Sequence, residues 1–204
     1  MGVFMSAPIR FYIVFVSTYS YLAIHRIDDL AARYGRTVDW QVISLGHVFQ
    51  ELKITPPPFI PARLKYNTLD LLRSAEFAGR TFKIPAVFPF DAKLARYAFW
   101  SLKAQDEKRA RDFALAVMDR TFGQGGSITT FEEIADACAH LGLSAADIEA
   151  LATAPAAKRA VVEAMDRARA DGIIGAPFMV LDGEPFWGAD RLDHLERRLA
   201  GVKA

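Results

Sequence analysis

The chain of 204 residues is poor in cysteine, in charge of one sign and in long apolar segments. Its one cysteine, Cys138, excludes an internal disulfide, a dithiol redox pair and a cysteine-rich zinc site, and we expect it to be a buried bystander. A formal net charge of +1 offers no field for nucleic acid or a membrane surface. The N-terminus lacks a signal-peptide pattern and no segment approaches the length of a membrane span, so we expect a cytoplasmic protein.

An apolar run that passes into a helical pattern at Ser17 is the first structural signal. Residues 9–16 are mostly β-branched or aromatic, which predicts a strand covered on both faces. Apolar residues then recur at helical spacing from Ser17 to Tyr34. Thr37 to Leu45 alternates in part and predicts a second strand. These elements predict a right-handed parallel βαβ unit.

The middle of the chain has a helical pattern. Between Gly46 and Pro61 the periodicity fails, and Pro56-Pro57-Pro58 predicts an extended loop. Ser144 with Asp147, and Thr129 or Thr130 with Glu132 and Glu133, form patterns like a capping box. The predicted helices are residues 63–78, 91–103, 108–122, 130–140, 144–152 and 155–170. Because no strand signal interrupts them, we expect an all-α insertion.

Strand character returns near the C-terminus. Phe178 to Leu181 and Glu184 to Trp187 flank Asp182-Gly183, which predicts a hairpin whose second strand lies at a sheet edge because it contains Pro185. Asp190 is a good N-cap for a last helix that ends near Leu199. The order β-α-β, helices, β-β-α predicts an α/β protein of thioredoxin-like fold. We expect residues 1–46 and 171–204 to form the thioredoxin-like domain and residues 47–170 the helical insertion.

Ser17 lies at the junction between the first strand and the first helix. A cytosolic redox protein of thioredoxin type would hold Cys-x-x-Cys there, whereas this chain has Ser17-Thr18-Tyr19-Ser20. A hydroxyl at a helix start can cap the helix or contact an anion, and a thiolate is one such anion. The residues alone leave both roles open for Ser17.

Four segments carry a resemblance that spans nearly the whole chain. They are residues 15–23, residues 61–66 with Asp70 and Arg73, residues 175–177, and residues 187–192. Together they resemble the DsbA-like branch of thioredoxin folds, and more closely the family of 2-hydroxychromene-2-carboxylate isomerases and kappa-class glutathione transferases. The resemblance implies glutathione as cofactor and a homodimer.

The resemblance also implies roles for single residues. The hydroxyl of Ser17 would donate to the glutathione sulfur, and Pro177 would be the cis-proline whose preceding residue, Ala176, pairs with the cofactor's peptide. Asp190 would receive the γ-glutamyl ammonium, with backbone N–H groups at the helix start beside Ala189 for its carboxylate. Arg63 stands where relatives often have a lysine, and either cation could meet the glycine carboxylate. From the residues alone, Asp190 could equally be a helix cap, Pro177 an ordinary trans proline and Arg63 a surface residue.

The chain departs from the family pattern on the substrate side. Val14 and Thr18 replace an acid and a proline, Ile54 and Asp91 replace asparagines, and Phe122 replaces a tryptophan. We expect an apolar pocket between the two domains, with Phe122 and Trp187 nearest the site. Its candidate aromatic residues are Phe49, Phe59, Phe88, Phe90, Trp100, Phe122 and Trp187.

The leading hypothesis is a glutathione-dependent isomerase acting on 2-hydroxychromene-2-carboxylate, to trans-o-hydroxybenzylidenepyruvate, or on a similar aromatic carboxylate. The resemblance implies reversible addition of the glutathione thiolate, which removes double-bond character and permits rotation. A kappa-like glutathione transferase, which releases a stable conjugate, is one alternative. A non-catalytic protein that binds a thiol ligand or a peptide is another, because fold does not imply function.

Overall fold

The computed structural model describes residues 7–55 and 60–201. Its four strands are β1 (Ile9–Ile13), β2 (Val38–Val42), β3 (Phe178–Leu181) and β4 (Glu184–Trp187). Its α-helices are α1 (Thr18–Ile24), α2 (Ile27–Arg33), α3 (Leu45–Glu51), α4 (Pro61–Phe77), α5 (Lys93–Lys103), α6 (Glu107–Met118), α7 (Phe131–Ala137), α8 (Ala145–Thr153), α9 (Pro155–Ala170) and α10 (Leu192–Leu199). Asp119–Gly123 forms a π-helical turn, and Ala139–Leu141 and Ala189–Arg191 form 3₁₀ turns.

The strands form one mixed sheet in the order β2-β1-β3-β4. β1 pairs in parallel with β2, so that Ile13 lies opposite Val42, and antiparallel with β3. The tight turn between β3 and β4 has positive φ angles of 51° at Asp182 and 89° at Gly183, as an Asp-Gly hairpin requires. Pro185 lies on the edge strand β4. This topology confirms the predicted thioredoxin-like α/β fold.

The predicted first strand and first helix are both too long. β1 ends at Ile13, because the chain turns immediately afterwards and the Ser17 N–H donates to the Val14 carbonyl at 2.9 Å. The helix breaks between α1 and α2, where the Arg26 N–H donates to the Ala23 carbonyl at 3.1 Å. This break leaves Ile24 and Ile27 buried. Apolar periodicity alone therefore did not reveal the break.

The predicted loop after β2 is wrong in its first part. Residues Leu45–Glu51 form α3, in which only Val48 is buried. A helix with so narrow a buried face has little apolar periodicity, which explains why the sequence pattern missed it. Pro56-Pro57-Pro58 and the candidate pocket residue Phe59 lie outside the described residues.

Between β2 and β3 the described residues are helical or irregular, as predicted. Both capping boxes are present: Thr130 with Glu133, and Ser144 with Asp147. Cys138 is fully buried, and burial raises the pKa of its thiol to about 12. One hydrophobic core runs from the sheet into the helices. The domain boundaries at residues 46 and 171 stay a prediction.

Candidate active site

Ser17 is held at the beginning of α1 by contacts on two sides. Its Oγ accepts from the Ser20 N–H at 3.2 Å and donates to the Ala176 carbonyl at 3.0 Å. Ser20 is fully buried, and its hydroxyl accepts from the Val14 N–H at 3.4 Å. The two serines thus have different roles. Ser20 stabilises the turn after β1, whereas Ser17 is both a helix cap and a contact to the segment before β3.

The segment opposite Ser17 contains the predicted proline. The Ala176–Pro177 peptide bond is cis, and the Pro177 carbonyl accepts from the Gly188 N–H at 3.0 Å. The structure therefore brings Ser17, Ala176 and Pro177 together and connects them to the end of β4.

Gly175 allows Trp187 to lie directly against this segment. A Cβ atom at Gly175 would be only 2.5 Å from the indole Nε1 of Trp187. Trp187 is 53% exposed, whereas Trp40 and Trp100 are buried. Trp187 therefore presents an exposed aromatic surface beside the Ala176–Pro177 segment.

Asp190 is not the N-cap of the last helix, so that part of the prediction is wrong. Residues Ala189–Arg191 form a 3₁₀ turn, and α10 begins only at Leu192 with no side-chain cap. The 3₁₀ turn follows Gly188, whose φ is 115°. Because this turn includes Asp190, α10 begins two residues after Asp190. The Asp190 side chain is 71% exposed and its nearest cation is Arg191, at 3.4 Å.

A pair of side chains that the sequence did not predict joins α1 to α4. The Tyr19 hydroxyl donates to Asp70 Oδ2 at 2.6 Å. Burial raises the pKa of Tyr19 above its ordinary value, and the hydrogen bond to Asp70 and the nearby Asp190 raise it further. The available signal was a tyrosine in the first helical turn, two residues after Ser17.

Arg63 lies exposed in the first turn of α4, seven residues before Asp70. A separation of seven residues places two side chains on the same face of a helix, about 10 Å apart along its axis. Arg63 has no ion pair within the residues that the structure describes. The structure thus places Arg63 on the Asp70 face of α4 and gives it no direct contact with Ser17.

Phe122 does not line an open pocket, contrary to the prediction. It is fully buried in an aromatic cluster, with ring centroids 6.0 Å from Tyr21 and 6.1 Å from both Phe82 and Phe88. Trp100 is also buried, whereas Phe49, Phe88 and Phe90 are partly buried. A cleft of about 410 Å³ lies elsewhere, among α5, α6 and α8, and its lining includes Arg109 and Asp147.

The described residues contain neither a metal-binding cluster nor a membrane-spanning helix. No group of three or more His, Cys, Asp or Glu side chains in residues 7–55 and 60–201 lies close enough together to hold a metal ion. None of the described helices is both long and apolar enough to cross a membrane.

The residues near Ser17 fit glutathione, the cofactor that the resemblance implies. A hydroxyl and a backbone carbonyl meet at Ser17 and Ala176, and Asp190 near Tyr19 offers an exposed carboxylate for an ammonium group. Arg63 offers an exposed cation for a carboxylate. Hydrogen bonding to a thiolate favours its charged form, so this arrangement can lower the pKa of a bound thiol.

Comparisons with known proteins agree with the architecture. The model of the DSBA-like thioredoxin domain matches residues 8–200. A 2-hydroxychromene-2-carboxylate isomerase of Sphingobium xenophagum is 30% identical over 96% of this chain and 99% of its own. A glutathione S-transferase kappa 2 of Caenorhabditis elegans is 23% identical over 94% of this chain and 91% of its own. A solved 2-hydroxychromene-2-carboxylate isomerase superposes with a TM-score of 0.83 at 26% identity, covering 97% of this chain and 100% of that chain.

These matches confirm the resemblance found in the sequence. They extend over nearly the full length of both partners and therefore include the Ser17 junction, the helical block and the C-terminal hairpin. The chain belongs to the DSBA-like thioredoxin domain family and, within it, to the group of 2-hydroxychromene-2-carboxylate isomerases and kappa-class glutathione transferases.

Proposed function

We propose that the protein is a glutathione-dependent isomerase of 2-hydroxychromene-2-carboxylate or of a similar aromatic carboxylate. The isomerase class is supported by a relative of that name, 30% identical over nearly the whole chain. The observation that carries the proposal is the contact of Ser17 Oγ with the Ala176 carbonyl at 3.0 Å. It places a hydroxyl that can donate to a thiolate beside a backbone carbonyl that can accept from a peptide N–H. Glutathione carries both a thiol and peptide groups, so it could bind to both.

Ser17 would change its hydrogen-bond partner when the cofactor binds. Its proton now points to the Ala176 carbonyl, and a hydroxyl can rotate towards a stronger, charged acceptor. The rotation would leave the Ala176 carbonyl free to accept from the cofactor's peptide. Asp190 and Arg63 would hold the ammonium and carboxylate ends.

Bound glutathione would supply a thiolate that adds reversibly to the conjugated substrate and is then eliminated, so that a double bond can change its configuration. Ser17 favours the thiolate by donating a hydrogen bond to it. Tyr19 and Asp70 join α1 to α4 and so hold the first turn of α1, which begins directly after Ser17. The residues of this chain would therefore stabilise the negative charge of the thiolate and fix its orientation relative to the substrate.

A kappa-like transferase remains the second candidate, because the kappa-class relative matches 94% of this chain. Both enzymes need the same activated thiol, so the Ser17 geometry supports both. They differ in the fate of the adduct, and product analysis separates them. A non-catalytic thiol-binding protein is the third candidate, which would bind glutathione and turn over neither substrate class.

Titration calorimetry of glutathione into the wild type and Ser17→Ala tests the proposal, with the thiol pKa followed by thiolate absorbance. We expect a lowered thiol pKa in the wild type that returns towards its value in free glutathione in the variant. Ser144→Ala is the matched control, because it removes a similar helix cap far along the chain. Its effect on glutathione should be negligible. Absence of glutathione binding to the wild type would overturn the proposal.

Incubation with 2-hydroxychromene-2-carboxylate and glutathione then separates the candidates. An isomerase forms trans-o-hydroxybenzylidenepyruvate while the glutathione concentration stays constant. A transferase consumes glutathione in proportion to the conjugate formed. Binding without either product would identify the non-catalytic alternative.

We also propose that the protein is a homodimer that contacts its partner through α4. This helix of 17 residues buries only Leu71 and Ala75. It leaves a set of large apolar side chains exposed, among them Phe77 at 90%: Leu64, Tyr66, Leu69, Leu72 and Phe77. Exposed apolar surface of this extent on one helix is typical of an interface. The cytoplasmic location stays a prediction.

A further inference from the structure

Arg96 on α5 is a half-buried cation with no ion pair or side-chain hydrogen bond among residues 7–55 and 60–201. Its Nε atom is buried and has no hydrogen-bond partner, and the side chain forms no ion pair with any described residue. A guanidinium group remains protonated in proteins, so this half-buried side chain keeps its positive charge with no carboxylate paired to it among the described residues. A charge that is partly withdrawn from water is costly unless an anion compensates it, which makes this position favourable for an anionic ligand.

The contacts of neighbouring residues show where Arg96 lies along the sheet. Lys103 contacts the Trp40 carbonyl at 2.7 Å, and Trp100 donates from its indole to the Val42 carbonyl at 2.8 Å. Earlier positions on α5 thus lie against later positions on β2. Arg96 is one helical turn before Trp100, about 6 Å further in this direction. It therefore lies beyond the C-terminal end of β2.

That end of the sheet is also the Ser17 end. β1 and β2 are parallel, and Ser17 follows β1 by four residues. Phe15, two residues before Ser17, packs edge-on against Phe99 at 6.4 Å between ring centroids. Arg96 is three residues before Phe99, on the same side of the helix. The Phe15–Phe99 contact therefore places the Arg96 end of α5 at the end of the sheet where the Ser17 turn lies.

Among the described residues near Arg96, no carboxylate forms an ion pair with it. Its guanidinium lies 5.8 Å from the centroid of the Tyr97 ring. Asp91 is the nearby carboxylate, but it is exposed and accepts from the Lys93 N–H at 2.8 Å. Burial lowers the pKa of Arg96 below its ordinary value, while Tyr97 and Asp91 partly offset that effect. The uncompensated charge thus borders aromatic surface, which suits an aromatic acid.

We infer that Arg96 binds the carboxylate group of the aromatic substrate. The inference rests on the proposed function, since it assigns Arg96 to the substrate side of the proposed active site at Ser17. A guanidinium can hold a carboxylate with two parallel hydrogen bonds and so fix its orientation. Arg96 would then select for acids over neutral analogues and orient the substrate skeleton relative to the thiolate at Ser17.

Calorimetry with two isosteric probes, chromone-2-carboxylate and chromone-2-carboxamide, tests this inference with and without glutathione. Arg96→Met removes the charge and keeps most of the side-chain length, and Arg96→Lys restores the charge. Lys93→Met is the matched control, because Lys93 also lies 5.8 Å from the Tyr97 ring but is exposed. Glutathione affinity and the urea unfolding midpoint are measured for every variant.

We expect Arg96→Met to weaken carboxylate binding at least about tenfold, the scale of a lost charged hydrogen bond. In Arg96→Met, the affinity for the carboxamide, the affinity for glutathione and the urea unfolding midpoint should stay the same or rise. Arg96→Lys should recover part of the affinity for the carboxylate. Equal losses for both probes, a loss of glutathione affinity, or no carboxylate binding by the wild type would overturn the inference. Carboxylate selectivity without glutathione binding would overturn the proposed function and leave the Arg96 site standing.

Discussion

The Tyr19 hydroxyl donates to Asp70 Oδ2 at 2.6 Å and thereby joins the first turn of α1 to the middle of α4. Tyr19 is two residues from Ser17, and Asp70 shares a helix face with Arg63. This single bond therefore connects the proposed thiol-binding hydroxyl to the helix that carries a proposed carboxylate-binding cation.

Tyr19→Phe should lower the free energy of unfolding by about 1 to 3 kcal/mol, because it removes a hydrogen bond to a carboxylate. Since the folded-state pKa of Tyr19 is raised, this contribution is fully present below the unfolded pKa of about 10 and is lost as pH rises through the folded pKa. Urea unfolding from pH 7 to alkaline pH measures both effects. Tyr34→Phe is the control, because its hydroxyl contact to Glu196 is longer, at 3.3 Å. A Tyr19→Phe effect no larger than that of Tyr34→Phe would contradict the prediction.

Asp171→Asn should destabilise the fold by about 2 to 4 kcal/mol at neutral pH. Asp171 accepts from Arg10 at 2.7 Å through two bonds and from Tyr12 at 2.5 Å, which ties β1 to the segment after α9. Burial raises the pKa of Asp171, but these hydrogen bonds outweigh burial, and the net change is downwards.

The lowered pKa of Asp171 sets the pH range over which its contribution to stability is lost. A lowered folded-state pKa contributes stability above the unfolded pKa of about 4, and that stability is lost as pH falls through the folded pKa. The gap between wild type and Asp171→Asn in urea unfolding should shrink over this range. Asp166→Asn, which alters only a surface pair with Arg169, should have a small effect at every pH. A gap for Asp171→Asn that persists unchanged in acid would contradict this assignment.

Gly175→Ala should displace Trp187, because the new Cβ atom would lie 2.5 Å from the indole Nε1. We expect a loss of about 1 to 3 kcal/mol in unfolding free energy, the cost of overpacking, and a change in the fluorescence of the one exposed tryptophan. Glutathione affinity should fall as well if the neighbouring Ala176 binds the cofactor's peptide. Gly46→Ala is the control, since, apart from its neighbours along the helix, no other described residue comes within 4 Å of its Cβ position. Unchanged fluorescence in Gly175→Ala would show that the contact is absent in solution.

Leu69→Glu combined with Leu72→Glu should convert the proposed dimer into a monomer, because two buried charges would face the partner. Light scattering after size-exclusion chromatography measures the mass. Val162→Glu on α9 is the control, since Val162 is also an exposed apolar residue but lies on another helix. A wild type that is monomeric at the same concentration would refute the dimer.

Much of this site was visible in the sequence because it depends on neighbours along the chain. Ser17 follows an apolar strand and begins a helix, and Asp182-Gly183 can form a tight hairpin wherever it occurs. The break at Arg26 and the helix α3 were missed, since neither produces a clear apolar period. Asp190 was misassigned as a cap, because the positive φ of Gly188 and the 3₁₀ turn are set by packing around the end of β4.

By itself, the sequence determined the order of strands and helices, the absence of a dithiol and the serine in its place, because those follow from composition and local periodicity. Only the tertiary structure decided that Ser17 meets Ala176, that Tyr19 binds Asp70 and that Arg96 forms no ion pair with any residue the structure describes. The first two contacts join residues 159 and 51 positions apart. A pattern with a period of two or 3.6 residues carries no information about such distances, since they are set by how the packed elements share one core.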